Sequence, residues 1–304
     1  MELRKLGDTT VEVTTLGLGG AGIAGLYAPV SDTDAAAAVR RAVDRGIRYF
    51  DTAPHYGAGR GERRFSALPG GCVISTKVGR LLVPLGPGEP PEPAGFADPP
   101  PLRRAWDWSA EGIQRSLAES LERLGVDRVD IVYLHDPDDH EDEVYATAYP
   151  ALAALREQGV VGAIGAGMNQ SEMLTRFVER LDLDVVLCAG RYTLLDRSAL
   201  DDLLPACERR GTSVVVGGVY NTGLLAGGTT YDYRPAPPDV LARVARLEEV
   251  CAGHGVPLRA AALQFPLRHP AVASVLAGCR SAAEVDDNAD LFELDIPDAL
   301  WDEL

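Results

Sequence analysis

Eight short apolar runs recur along the chain, near 16–18, 47–51, 72–77, 129–135, 160–164, 185–188, 213–216 and 272–276. Between most of them lie segments whose apolar residues return at i, i+3 and i+4. Runs this short read as strands, and the longer period reads as helix. Helices are expected over 34–45, 111–124, 144–158, 171–180, 198–210 and 238–254. Gly46, Gly125, Gly159, Gly211 and Gly255 follow five of these segments, where a helix commonly ends on a left-handed residue. Alternating strands and helices leave the strands parallel, and eight such units close into a barrel. A hairpin is expected ahead of the first unit, pairing 2–6 with 11–15 around Gly7 and Asp8. No linker composition interrupts the sequence. The expectation is one α/β domain over 1–304, a (β/α)8 barrel with an N-terminal hairpin and long loops on one face.

In such a barrel the carboxyl ends of all strands gather on one face, and chemistry is done there. Four residues stand at those ends. Asp51 closes one run and Tyr56 follows it in the next loop; Lys77 and His135 close two others. Singly, each has an ordinary structural role: a turn cap, a solvated charge, a satisfied histidine. Together, at successive strand ends, they form a proton-transfer set. An unperturbed phenol has a pKa of ~10, and a nearby cation favours its ionised form. Lys77 is expected to supply that charge and Asp51 to hold Lys77. His135 is placed to orient a substrate oxygen. The set suits proton transfer at the oxygen of a carbonyl or alcohol carbon. Interconverting the two also requires a hydride carrier, which side chains cannot be, so a nicotinamide cofactor is implied. No metal-ligand spacing is present, and no metal is expected.

At these residues the chain resembles the aldo-keto reductases. The resemblance runs over nearly the whole length and is carried by FDTAPHYG at 50–57, STKVG at 75–79 and DIVYLH at 130–135. SLAESLERLG at 116–125 is similar to the helix that precedes the histidine strand in that family. The resemblance implies Tyr56 as general acid/base, Lys77 and Asp51 as its tuning pair, and His135 as substrate orienter.

It also implies where a dinucleotide would lie, with Asp51 close to it. Asn169 matches the residue that holds the nicotinamide amide, although Met168 and Ala189 stand where serine and glutamine are usual. Gly218, Tyr220, Asn221 and Gly223 belong to a loop similar to the one over the pyrophosphate, and Gly217 replaces a common stacking aromatic. Gly278, Arg280, Glu284 and Asn288 match the adenosine-phosphate site, with Ser281 as a further backbone donor. NADP adds a phosphate that wants basic partners. Here Gly278 and Glu284 occupy the positions where Lys and Arg are common, so NAD is expected over NADP, with Arg280 as the counter-indication.

Within the family the resemblance points to aldose and pyridoxal dehydrogenases, through HDPD at 135–138, AGRYTLLD at 189–196 and GGVYN at 217–221. Candidate substrate contacts are Tyr27, His55, Trp106, Trp108, Asp136 and Tyr192. The expected activity is an NAD-linked aldose 1-dehydrogenase type of oxidation. The alternatives are an NADPH-linked aldehyde or ketone reductase and a non-catalytic nicotinamide-binding regulator.

Two segments depart from this pattern. Residues 17–22 satisfy G-x-G-x-x-G, the dinucleotide fingerprint. That fingerprint needs a helix to open at the glycines, whereas Tyr27–Ala28–Pro29 interrupts, and a capping signal appears only at Ser31 and Asp34. The glycines, Gly20 among them, are therefore read as a tight turn beneath the cofactor, with a two-domain Rossmann dehydrogenase as the competing fold. Residues 82–101 are rich in Pro and Gly and are read as an irregular loop walling the substrate site.

Composition narrows the partners. Forty-five acidic residues against 29 Lys and Arg give a net charge of −16. Such a chain is a poor ligand for nucleic acid or for an anionic membrane. No apolar run approaches the ~20 residues that span a bilayer, and the N-terminus lacks a signal-peptide core. Five widely spaced cysteines with no CxxC fit a reducing compartment, so a cytoplasmic protein acting on a small carbonyl or sugar, as a monomer or small homo-oligomer, is expected.

Overall fold

The computed structural model describes residues 1–304 except Pro91 and Pro93. Its centre is a closed barrel of eight parallel strands in chain order. They are β1 (Leu16–Gly19), β2 (Tyr49–Asp51), β3 (Val73–Val78), β4 (Ile131–His135), β5 (Ala163–Met168), β6 (Val185–Ala189), β7 (Ser213–Gly217) and β8 (Val272–Gly278). Helices follow the strands and form the outer layer. The α/β barrel expected from the alternation is the one observed, and the N-terminal hairpin pairs Leu3–Lys5 with Glu12–Thr14. All five expected cap glycines take positive φ.

Side-chain alternation divides the apolar residues into two cores. Tyr49, Ile131, Tyr133, Val185, Leu187 and Val215 point into the barrel, and Leu6, Val11 and Val13 of the hairpin join them, closing its amino-terminal end. Leu18, Phe50, Val132, Ile164, Val186 and Val216 point outward against the helices.

The register positions the chemistry. Asp51 lies opposite Ser75, Lys77 opposite Tyr133, and His135 opposite Gly167. Ser75 and Lys77, two residues apart, share the interior face. Inside the barrel the Tyr49 and Tyr133 hydroxyls meet at 3.1 Å, and the Ser75 hydroxyl donates to Asp51 Oδ1 at 2.7 Å.

Several expectations shift. β5 lies at Ala163–Met168 rather than 160–164, because its sequence, Ala-Ile-Gly-Ala-Gly-Met, hides a strand behind two glycines. A Cβ on Gly165 would fall 1.7 Å from the carbonyl oxygen of Val185, so that position takes glycine for packing. A one-turn helix, Gly20–Ile23, does open at the glycine motif, against expectation. It stops at once, and the next helix is Asp32–Asp44, with the Ser31 hydroxyl accepting from the Asp34 N–H at 3.0 Å. The close approaches at Gly20 and Gly22 are to the chain itself: a Cβ there would lie 2.9 Å from Asp51 O and 2.8 Å from Cys279 O.

The Pro-rich segment is less irregular than its composition indicates. Arg80–Pro84 pairs antiparallel with Leu102–Trp106, and the Leu26–Phe96 bridge ties the intervening loop to the chain after β1. Pro91 and Pro93, part of that expected loop, lie outside the described residues. Short helices at Arg60–Arg64, Leu258–Gln264 and Asp298–Glu303, and a small hairpin pairing Thr230–Tyr231 with Arg234–Pro235, were not foreseen.

Gly165→Ala is expected to destabilise the protein by at least ~2 kcal/mol through overpacking against β6. Denaturant unfolding of the variant beside the parent protein measures this.

Candidate active site

The site is built outward from a buried ion pair. Lys77 and Asp51 are each 2% exposed. The Lys77 ammonium donates to Asp51 Oδ1 at 2.9 Å, to Oδ2 at 2.7 Å and to the Thr52 carbonyl at 2.9 Å. An ammonium has three donors, and all three are used by these acceptors. Lys77 therefore acts on Tyr56 through space, its Nζ lying 4.6 Å from the centre of the phenol ring.

Tyr56 and His135 complete the group. Their rings meet edge to face at 5.9 Å, with His55 at 5.6 Å from His135. Burial, reinforced by the positive charges of Arg80 and Lys77, holds the His135 imidazole well below its usual range, so it is neutral at neutral pH. His55 is pushed down to about 3 by the same burial and by Arg80 and Arg104. His135 Nδ1 is buried without a hydrogen-bond partner among the described residues.

The expectation for Tyr56 is corrected. Burial, then the negative charges of Asp51 and Asp136, raise its pKa well above that of a free phenol. The Lys77 charge is matched by a bidentate carboxylate and does not offset this. Tyr56 thus sits in the fold as a protonated acid, with its proton available to an acceptor in the cleft.

These residues lie in a cleft of about 450 Å³ at the carboxyl ends of the strands. Tyr27, His55 and Asp136 line it, as expected, together with Leu26, Phe96, Met168, Leu187 and Tyr233. Trp106, Trp108 and Tyr192 do not line it. Trp108 is buried beneath Gly79, where a Cβ would meet its ring at 2.2 Å. Trp106 stacks on Trp108 at 5.6 Å. Tyr192 packs on Phe265 at 5.2 Å, in the outer layer.

Sequence reasoning missed Phe96 and Tyr233. Phe96 is hidden in the Pro-rich segment. Tyr233 hangs from the tight turn of the small hairpin, where Asp232 and Tyr233 both take positive φ. Arg191 holds that turn through Asp232 at 2.9 Å and binds the Asn169 carbonyl at 2.8 Å. The repeated Tyr-Asp-Tyr at 231–233 was the available signal.

A model of the aldo/keto reductase family matches residues 15–304. The chain belongs to the aldo/keto reductase family. It is 44% identical to a D-threo-aldose 1-dehydrogenase of a Pseudomonas species, over 96% of this chain and 93% of that protein. It is 41% identical to a pyridoxal 4-dehydrogenase of Microbacterium luteolum, over 99% of this chain and 95% of that one. The solved structure of a glycerol dehydrogenase from Gluconobacter oxydans superposes with a TM-score of 0.78, covering 99% of this chain and 93% of that one at 24% identity, a likeness of fold. This aldo/keto reductase is accordingly an NAD(P)-dependent oxidoreductase. None of its described helices is long and apolar enough to cross a membrane.

The residues expected around a nicotinamide dinucleotide fit such a group. They lie at the ends of β5, β7 and β8. Gly218, Asn221, Thr222 and Gly223 after β7 all take positive φ, in a tightly turned loop that the Asn221 N–H closes on the Gly218 carbonyl at 2.8 Å. Asn221 Oδ1 is buried without a partner among the described residues. Asn169, at the end of β5, lines the cleft, its amide only 3.5 Å from the Tyr233 hydroxyl. Tyr220 and Asn288 are committed to each other: the phenol donates to Asn288 Oδ1 at 2.8 Å, bracing the loop against helix Ala282–Glu293. Gly278 is exposed. Glu284 accepts from the Arg280 backbone N–H at 2.7 Å and from its guanidinium at 3.0 Å.

Removing one member of a buried ion pair costs ~3–5 kcal/mol. Asp51→Asn and Lys77→Met are each expected to lose that much. The double variant Asp51→Leu/Lys77→Met should lose clearly less than the two single losses added, which chemical denaturation of all three variants checks.

Proposed function

We propose that this enzyme oxidises a cyclic aldose, or a similar hemiacetal, at its carbonyl-derived carbon to a lactone, with NAD as the preferred cofactor. The observation that carries the reading is the buried Lys77–Asp51 pair set beside Tyr56 and His135 at the base of one cleft. The relatives support the substrate class: an aldose and pyridoxal both carry an aldehyde carbon that a neighbouring hydroxyl can close into a hemiacetal.

A bound nicotinamide would supply the hydride acceptor or donor. Asn169, the loop from Gly218 to Gly223, and Gly278 to Ser281 are the residues that would hold it. Everything else falls to side chains. Tyr56 carries the proton at the substrate oxygen, giving it up in reduction and receiving it in oxidation. His135, neutral and buried, orients that oxygen. Lys77 and Asp51 fix the floor on which the phenol ring rests. Met168, Leu187, Phe96 and Tyr233 present apolar surface that excludes water from the reacting centre.

Oxidation needs Tyr56 as phenolate, whereas the fold favours the phenol. The rate of oxidation is therefore expected to rise with pH through the alkaline range, while carbonyl reduction stays level there because the phenol remains protonated. Following reduced-nicotinamide absorbance with a panel of aldoses and pyridoxal tests the reading: NAD-dependent turnover should appear and should vanish in Tyr56→Phe with dinucleotide binding retained. Silence with every aldose but oxidation of NADPH by simple aldehydes would make the enzyme a general carbonyl reductase, a reading that the protonated Tyr56 favours.

The NAD preference rests on Glu284. Its carboxylate occupies the Arg280 guanidinium and backbone N–H, which a 2′-phosphate would otherwise use. A ribose hydroxyl can donate to the same carboxylate. Glu284→Ala is expected to shift the ratio of kcat/KM for NADP over NAD upward by about ten-fold, the scale of one charge-assisted contact. Steady-state kinetics with both cofactors measures the shift.

A further inference from the structure

A second ion pair lies beside the first. Arg80 Nη2 donates to Asp136 Oδ2 at 2.6 Å, and the same oxygen lies 3.5 Å from His135 Nε2. Asp136 lines the cleft and is the one carboxylate to do so among the described residues. Its backbone is left-handed, at φ 44°, and its N–H is tied to the Gly167 carbonyl at 3.0 Å. An aspartate held in that conformation by a neighbouring strand points where the backbone dictates.

Arg80 is held just as firmly. Its guanidinium lies 4.3 Å over the ring of Trp106. Trp106 stacks on Trp108 at 19°, and Trp108 fills the space that Gly79 leaves. The sequence from Gly79 through both tryptophans to Arg80 is a rigid prop ending on Asp136. The tryptophans thus reach Asp136 through Arg80 without lining the cleft. Both contacts of the carboxylate fall on Oδ2, which leaves Oδ1 uncommitted among the described residues. Arg80 Nε is also buried without a partner.

We propose that Arg80 and Asp136 select polyhydroxylated substrates: Asp136 accepts hydrogen bonds from substrate hydroxyl groups, and Arg80 is the positioning residue that holds its carboxylate. The inference rests on the sugar-oxidising reading above and names the residues that give it its selectivity. An ionised carboxylate only accepts hydrogen bonds. A substrate that brings hydroxyl groups satisfies it. A simple aldehyde leaves Oδ1 desolvated without a hydrogen-bond partner, and a site built for a hydroxyl rejects such an analogue strongly. Tyr27, Tyr233 and Asn169 also line the cleft, but Asp136 alone among the described lining residues brings a carboxylate, which can accept from hydroxyl groups and cannot donate to a lone carbonyl.

The test compares kcat and KM for an aldose with NAD and for benzaldehyde with NADH in the parent enzyme and in Asp136→Ala, Asp136→Asn, Arg80→Met and Arg80→Lys. Melting temperatures establish that the variants are folded. The ratio of kcat/KM for aldose over benzaldehyde is expected to fall at least about ten-fold in Asp136→Ala, mostly through the KM for aldose. Asp136→Asn should fall in the same direction. Arg80→Met should lose part of the ratio, and Arg80→Lys should recover it. A ratio within about two-fold of the parent in both folded Asp136 variants would overturn the assignment while leaving the dehydrogenase reading intact. Failure of the parent enzyme to turn over any aldose would overturn both.

Discussion

The arrangement depends on one opposite-charge contact inside a barrel. Asp51 ends β2 and Lys77 lies near the end of β3, and neither charge is tolerable there without the other. The parallel register sets Asp51 against Ser75, and the two-residue period then brings Lys77 onto the same carboxylate. A slip of one residue would turn Lys77 outward and strand Asp51. The pair thus links strand register to chemistry. Below it, Ser75, Tyr49 and Tyr133 continue a column of hydroxyl groups through the barrel. Above it sits the Tyr56 ring. A polar spine through an otherwise apolar interior fixes one end of the barrel as the reactive end.

The way charge is distributed follows the same logic. The protein carries sixteen excess negative charges, yet the cations around the cleft are individually matched: Lys77 with Asp51, Arg80 with Asp136, Arg280 with Glu284. Burial is the first influence on the Tyr56 phenol and on the neighbouring histidines, and the charges of these pairs add to it: Asp51 and Asp136 raise the phenol further, while Arg80 and Lys77 lower His135 further.

Strand ends were the legible part of this sequence. Asp51, Lys77 and His135 each close an apolar run, and Tyr56 follows in the adjoining loop, so the barrel alone was enough to gather them. The five helix-ending glycines were legible for a similar reason, since a local conformational need writes a local signal. Other features depended on contacts that no window of sequence contains. β5 was placed too early because Gly165 answers to the backbone of β6. Tyr56 was expected to be acidified by Lys77, but the exact partners of an ammonium's three protons exist only in the folded geometry. Trp106 and Trp108 were assigned to the cleft because they follow the Pro-rich segment on the catalytic face, while the absent side chain of Gly79 decides where they rest. Phe96 and Tyr233 arrive from loops whose composition carries no period.

The N-terminal hairpin has a consequence beyond packing. By seating Leu6, Val11 and Val13 against Tyr49, Ile131 and Val185, it covers the amino-terminal end of a barrel whose interior is packed with side chains. Water is thereby kept from the lower end of the column of hydroxyl groups, and the Lys77–Asp51 pair is shielded from below as well as from above. A short ribbon of chain at the far end of the molecule helps keep the ion pair dry without touching it.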